Sequence, residues 1–150
     1  MPKYYGGELR VRKTVAFTGA AGLGAQGTVN VFTITGRVLV TEVTAFCTED
    51  LASAGGGTVA LGTANSTTKL ITTTTATGID INEWWTTGTG VAEAANIIDS
   101  QSTVGAAKEN RVLLASSVII TVGTADVTDG TLIIDIFYKP VTDDGVLVAA

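Results

Sequence analysis

The feature that most constrains this chain is the dense recurrence of Val, Ile and Thr, interrupted at short intervals by Gly, Asp or Asn. β-Branched side chains crowd the preceding turn of a helix but fit a pleated, half-buried surface. Strand-sized runs separated by turn residues suggest a sandwich or a barrel. A length of 150 residues favours one domain and is enough to bury a real core. Residues 1–9 read as an extended N-terminal arm and residues 10–150 as one domain. The expectation is an all-β chain folded as a single antiparallel β-sandwich, jelly-roll-like.

Along the chain, residues 10–18 read as a first strand, followed by a Gly- and Ala-rich loop from Gly19 to Gly27. From Thr28 to Thr35 the residues alternate, with Phe32 and Ile34 on one face and Val29 and Val31 on the other. Beyond Gly36 the pattern resumes, and Val38, Val40 and Phe46 share parity with Phe32 and Ile34. Gly36 is either a tight hairpin or a bulge in one long bent strand. Both faces of this region are apolar, which places it centrally. Short strands follow near 58–62 and 67–73, with a weaker one near 77–82. Residues 91–98 are either one helical turn or a strand. Residues 111–123 and 131–139 read as a pair of strands with Asp129-Gly130 as the turn signal between them.

The first thirteen residues carry Lys3, Arg10, Arg12 and Lys13 against Glu8 alone, while the chain as a whole has net charge -5. A small cationic arm therefore leads into an acidic body. The overall sign disfavours general nucleic-acid binding. No run approaches the roughly 20 apolar residues of a membrane helix, and no membrane partner is expected. The start Met1-Pro2-Lys3-Tyr4-Tyr5-Gly6-Gly7 lacks the apolar stretch of a secretory signal. Asn65-Ser66-Thr67 has the form of a glycosylation acceptor and is read as a chance match for that reason. Charged residues make up 15% of the chain, against about 25% in an ordinary soluble domain. Mean hydropathy is +0.39. The excess apolar surface points to burial against other copies or a partner.

Several constellations have the residue types that chemistry could use. Gly22-Leu23-Gly24-Ala25-Gln26-Gly27 has the spacing of a dinucleotide fingerprint, but that motif needs a helix after its third Gly. Thr28 to Thr35 read as a strand, so no cofactor is expected and the segment is read as a mobile loop. The chain has no His, which removes the usual general base and the Ser-His-Asp route. Cys47, the one cysteine, reads as a small buried residue. Glu49-Asp50, Asp126 with Asp129, and Asp143-Asp144 lie in expected turns, where Asp serves backbone geometry; none has an EF-hand pattern. The expectation is a chain with no catalytic residues and no metal. Trp84 and Trp85 are adjacent in an extended run and should point to opposite faces, one into the core and the other toward an interface or a sugar ring.

The strings Phe32-Thr33-Ile34-Thr35-Gly36-Arg37-Val38-Leu39-Val40, Ala60-Leu61-Gly62-Thr63 with Leu70-Ile71, and Val127-Thr128-Asp129-Gly130-Thr131-Leu132 with Tyr138-Lys139-Pro140-Val141-Thr142-Asp143-Asp144-Gly145 resemble small virion proteins of tailed bacteriophages. The resemblance spans about residues 28–145. It implies a capsid decoration (cement) protein on the capsid surface, or a tail or fibre component, in either case β-rich and often trimeric. The implied partners are the major capsid protein or other virion subunits and further copies of the chain. The residues expected to meet partners are Lys3, Tyr4, Tyr5, Arg10, Arg12, Lys13, Trp84 and Trp85. The rival reading is a host-adhesion, carbohydrate-binding module that uses one of the tryptophans.

Overall fold

The computed structural model describes residues 7–86 and 112–150, together with the backbone of 97–99. The described strands are β1 (Leu9–Ala16), β2 (Gly27–Thr35), β3 (Val38–Ala52), β4 (Thr58–Thr63), β5 (Ser66–Thr75), β6 (Glu83–Trp85), β7 (Ile97–Asp99), β8 (Val112–Leu114), β9 (Val118–Gly123), β10 (Asp129–Pro140) and β11 (Val146–Ala149). The described helical structure is one 3-10 turn, Ala76–Gly78. None of the described helices is long and apolar enough to cross a membrane.

Two antiparallel sheets face each other. One runs β1-β10-β3-β6-β7, with β8 also paired to β3, and the other runs β11-β2-β9-β4-β5. The chain passes from sheet to sheet as it proceeds: β1 lies in the first, β2 in the second, β3 in the first, β4 and β5 in the second. The four-strand orders β1-β10-β3-β6 and β2-β9-β4-β5 are those of a jelly roll, with β11 added beside β2. The expected all-β sandwich is the observed fold.

The core lies between the sheets and is built by alternation. Leu132, Ile134, Ile136 and Tyr138 of β10 point inward against Val118, Ile120 and Val122 of β9 and Val59 and Leu61 of β4. Extra residues in β3 and β2 change the parity expected from sequence. In β3, Val40 faces Tyr138 and Glu42 faces Phe137, so Thr41 is a bulge. It moves the inward set from Val38 and Val40 to Val43, Ala45 and Cys47, and turns Phe46 outward. Thr48 is a second such extra residue, between Cys47 and Glu49. In β2, Val31 is the extra residue, and both Val31 and Phe32 are buried rather than on opposite faces.

Three connections differ from the sequence reading. Gly36 is neither a hairpin tip nor a bulge, because β2 and β3 belong to different sheets. It is a corner with φ 63, packed under Thr142 and Asp144. The run 111–123 divides at Ala115-Ser116-Ser117 into β8 and β9, which lie in different sheets. Consequently 111–123 does not pair with 131–139. β9 pairs with β2 and β4, and β10 with β1 and β3. Asp129-Gly130 opens β10 at a register shift, where Gly130 has φ 106 and its α-carbon lies against the Asp50 carbonyl. Residues 91–96 lie outside the described residues, and 97–99 are strand.

Candidate functional site

The outward side of the β1-β10-β3-β6 sheet is organised in rows set by register. Thr14, Ile133, Phe46 and Trp84 stand side by side on four strands. Arg12, Asp135 and Thr44 form the next row, and Arg10, Phe137 and Glu42 the one after. The faces are fixed by neighbours of opposite parity, since Ile134, Ile136, Val43, Ala45 and Trp85 are all buried.

The adjacent tryptophans take opposite faces. Trp85 is fully buried, and its indole N–H donates to Thr74 Oγ1 of β5 at 2.9 Å, tying the two sheets together. Trp84 is half-buried on the outside, with its ring 4.8 Å from that of Phe46 at 49°. Such tilted aromatic pairs contribute about 1 kcal/mol beyond area burial. Sequence reasoning missed Phe46 as the partner of Trp84, because the Thr41 bulge is invisible in the alternation.

Asp135 is the charged group at the centre of this face. Arg12 Nε donates to Oδ1 at 3.0 Å and Arg12 Nη2 to Oδ2 at 2.8 Å, a forked pairing. Arg10 Nε lies 3.3 Å from Oδ1. The Asp135 side chain is 11% exposed and both arginines 51%. The hydrogen bond to Asp135, and then its negative charge, raise the Arg12 pKa above its already high ordinary value. Two guanidiniums on one carboxylate leave a positive charge facing solvent. β1 is also the edge strand of its sheet, and edge cations discourage strand addition by other chains.

The remaining cations of the N-terminal segment are divided. Lys13, on the other side of β1, donates through Nζ to the Ala150 carbonyl, bridging the edges of the two sheets. Glu8 accepts from Thr41 Oγ1. The strand starts at Leu9, paired with Tyr138, so Arg10, Arg12 and Lys13 belong to the sandwich. Lys3, Tyr4 and Tyr5 lie outside the described residues.

The Gly22–Gly27 segment leads into strand β2, where a dinucleotide site would require a helix. It is pinned rather than loose. Thr18 N–H donates to the Leu23 carbonyl at 2.7 Å, Val127 N–H to the Gly24 carbonyl at 2.8 Å, and Gln26 N–H to Asp126 Oδ1 at 2.8 Å. The acidic residues also bind backbone: Asp50 accepts from Ile81 N–H at 2.6 Å and Glu83 from Asp80 N–H at 2.8 Å. Among the described residues no three His, Cys, Asp or Glu side chains are grouped to hold a metal. Cys47 is buried, its thiol donates to the Glu49 carbonyl at 3.1 Å, and burial pushes its pKa up to about 11. That shift is opposite to the one that activates a nucleophilic thiol.

No protein-family model and no curated protein sequence matches this chain. Among solved structures, a chain of the cyanophage Pam1 capsid asymmetric unit is similar in fold, with a TM-score of 0.52 at 19% identity. The likeness covers 91% of this chain and 87% of that one.

Proposed function

We propose that the chain is a structural protein of a phage particle: a decoration protein that binds the surface of the assembled head as a homotrimer and performs no catalysis. The observation that carries this reading is the near end-to-end likeness of the sandwich to a chain found within a capsid assembly. The outward side of the β1-β10-β3-β6 sheet supplies the docking chemistry. Trp84, Phe46, Ile133 and Phe137 offer half-buried apolar surface, and Arg10 and Arg12 offer charged donors beside it. Aromatic residues and Arg are the types enriched at interfaces. Lys3, Tyr4 and Tyr5, which precede the strand in sequence, are of the same residue types.

The mechanism is mass action. A protein that binds the closed shell and not its separated subunits stabilises the shell by its binding free energy, about 2.7 kcal/mol per site at a hundredfold excess over Kd. Co-sedimentation of purified protein with particles that lack it tests the reading. Full-length chain should pellet with particles and raise the temperature at which they release DNA. Removal of residues 1–7, which leaves β1 intact, should weaken binding. A chain that stays in the supernatant at every concentration would refute the proposal.

A further inference from the structure

Arg10 and Arg12 stand two residues apart on one face of β1, with a spacing of about 7 Å along the strand. Both reach the same carboxylate. Arg12 Nε and Nη2 lie 3.0 and 2.8 Å from the Asp135 oxygens, and Arg10 Nε lies 3.3 Å away. A guanidinium has further N–H donors beyond these. Asp135 is nearly buried, whereas both arginines are half-exposed. One buried acid therefore holds two guanidinium forks in place while half of each stays open to solvent.

The row of Thr14, Ile133, Phe46 and Trp84 is next along the strands, about 7 Å from the row of Arg12. A partner that covers the half-buried Phe46–Trp84 pair therefore also covers Arg12. Covering a cation without supplying an anion is costly, because the lost hydration is not replaced. The acids of the same face do not supply that charge. Asp135 is one carboxylate for two guanidiniums. Glu42 shares the row of Arg10 but stands two strands away, about 10 Å, with Phe137 between them. Glu8 accepts from Thr41 Oγ1 toward the far end of the sheet, where Lys139 of β10 offsets it.

We propose that the segment seated on this face carries an Asp or Glu carboxylate that pairs with the Arg10 and Arg12 forks, while an adjoining apolar side chain covers Phe46 and Trp84. The inference rests on the proposed attachment to the particle and names the chemistry that the sheet meets there: an acidic, part-apolar segment of a shell protein. Charge complementarity carries it, since two guanidiniums exceed their one buried partner. Guanidinium forks match planar carboxylates through parallel N–H···O bonds. Their orientation by Asp135 in advance lowers the cost of forming those bonds. A nucleic-acid phosphate is the other oxyanion with suitable geometry, and the net charge of -5 disfavours it.

The test is co-sedimentation with particles that lack this protein, before and after their carboxylates are converted to amides with carbodiimide and glycinamide. Wild-type chain should bind untreated particles and lose affinity about tenfold or more on treated ones. Arg10→Gln leaves Arg12 paired with Asp135. It should weaken binding to untreated particles about tenfold and flatten the dependence on salt. Trp84→Ala should also weaken binding but keep the wild-type salt dependence, because an apolar contact is not screened. Equal binding of wild type to treated and untreated particles, or an Arg10→Gln chain with wild-type affinity, would overturn the proposal. Competition by duplex DNA together with indifference to amidation would assign the arginines to phosphate and overturn it as well. Should Arg10→Gln not fold, the comparison of treated with untreated particles decides with the wild-type chain alone. A wild type that fails to pellet even with untreated particles refutes the particle reading itself, and this proposal falls with it.

Discussion

Replacing Trp85 with Phe removes the one indole hydrogen bond that crosses the sandwich while keeping most of the ring. Thr74 Oγ1 receives the indole N–H at 2.9 Å and donates to the Thr72 carbonyl at 3.0 Å, so it keeps one of its two bonds in the variant. The expected cost is about 1 kcal/mol for the hydrogen bond and about 1 kcal/mol for the smaller ring, about 2 kcal/mol together. Thr74→Val instead leaves a buried indole N–H without an acceptor, a cost of about 2 kcal/mol. In the double variant neither group is stranded, so the loss should be about 3 kcal/mol rather than the additive 4, a coupling of about 1 kcal/mol. Equilibrium urea unfolding, followed by Trp84 fluorescence in the Trp85→Phe background and by circular dichroism throughout, measures each corner of the cycle. Additivity within about 0.3 kcal/mol would mean that Trp85 does not reach across to β5.

Three further outcomes follow from the same structure. Cys47 should resist thiol reagents at pH 8 until the chain unfolds. Because its folded pKa is raised from 9.0 to about 11, the stability it contributes is fully present below pH 9 and is lost as pH rises from 9 to 11, as titration of unfolding free energy would read. Thr121 Oγ1 is buried with no hydrogen-bond partner among the described residues. Thr121→Val should therefore stabilise the fold by about 1 kcal/mol, a rise in Tm of about 2–4 °C by calorimetry, and a fall would refute the reading. Arg10→Gln/Arg12→Gln should cost more than Asp135→Asn. The first strands a nearly buried carboxylate, whereas the second leaves half-exposed cations that water can solvate. Equal losses in chemical denaturation would contradict that asymmetry.

Much of the sandwich was legible in the sequence because alternation is a local property. The inward set of β10, the strand after Gly27 and the opposed faces of Trp84 and Trp85 all follow from a period of two. What sequence could not supply depends on partners far along the chain. Alternation is reliable only until an extra residue enters, and Thr41, Thr48 and Val31 each reset it without a Gly or Pro to mark the place. Pairing is likewise non-local: Asp129-Gly130 has the composition of a hairpin turn, yet it serves the approach of β10 to Asp50. The Gly-rich segment before β2 read as loose because its anchors, Asp126 and Val127, lie a hundred residues away. Asp135 shows the same limit. An acid inside an isoleucine-rich run is unusual, but only the β1–β10 register reveals that Arg12 stands opposite.

The central claim, that this sandwich is a component of the particle surface, is tested most directly by cryo-electron microscopy of intact particles. The expected result is a two-sheet density at regular positions on the outside of the head, in clusters of three. In that map the β1-β10-β3-β6 sheet faces the shell. A reconstruction in which the fitted sandwich is absent from the head, or is present only at the tail, would contradict the account.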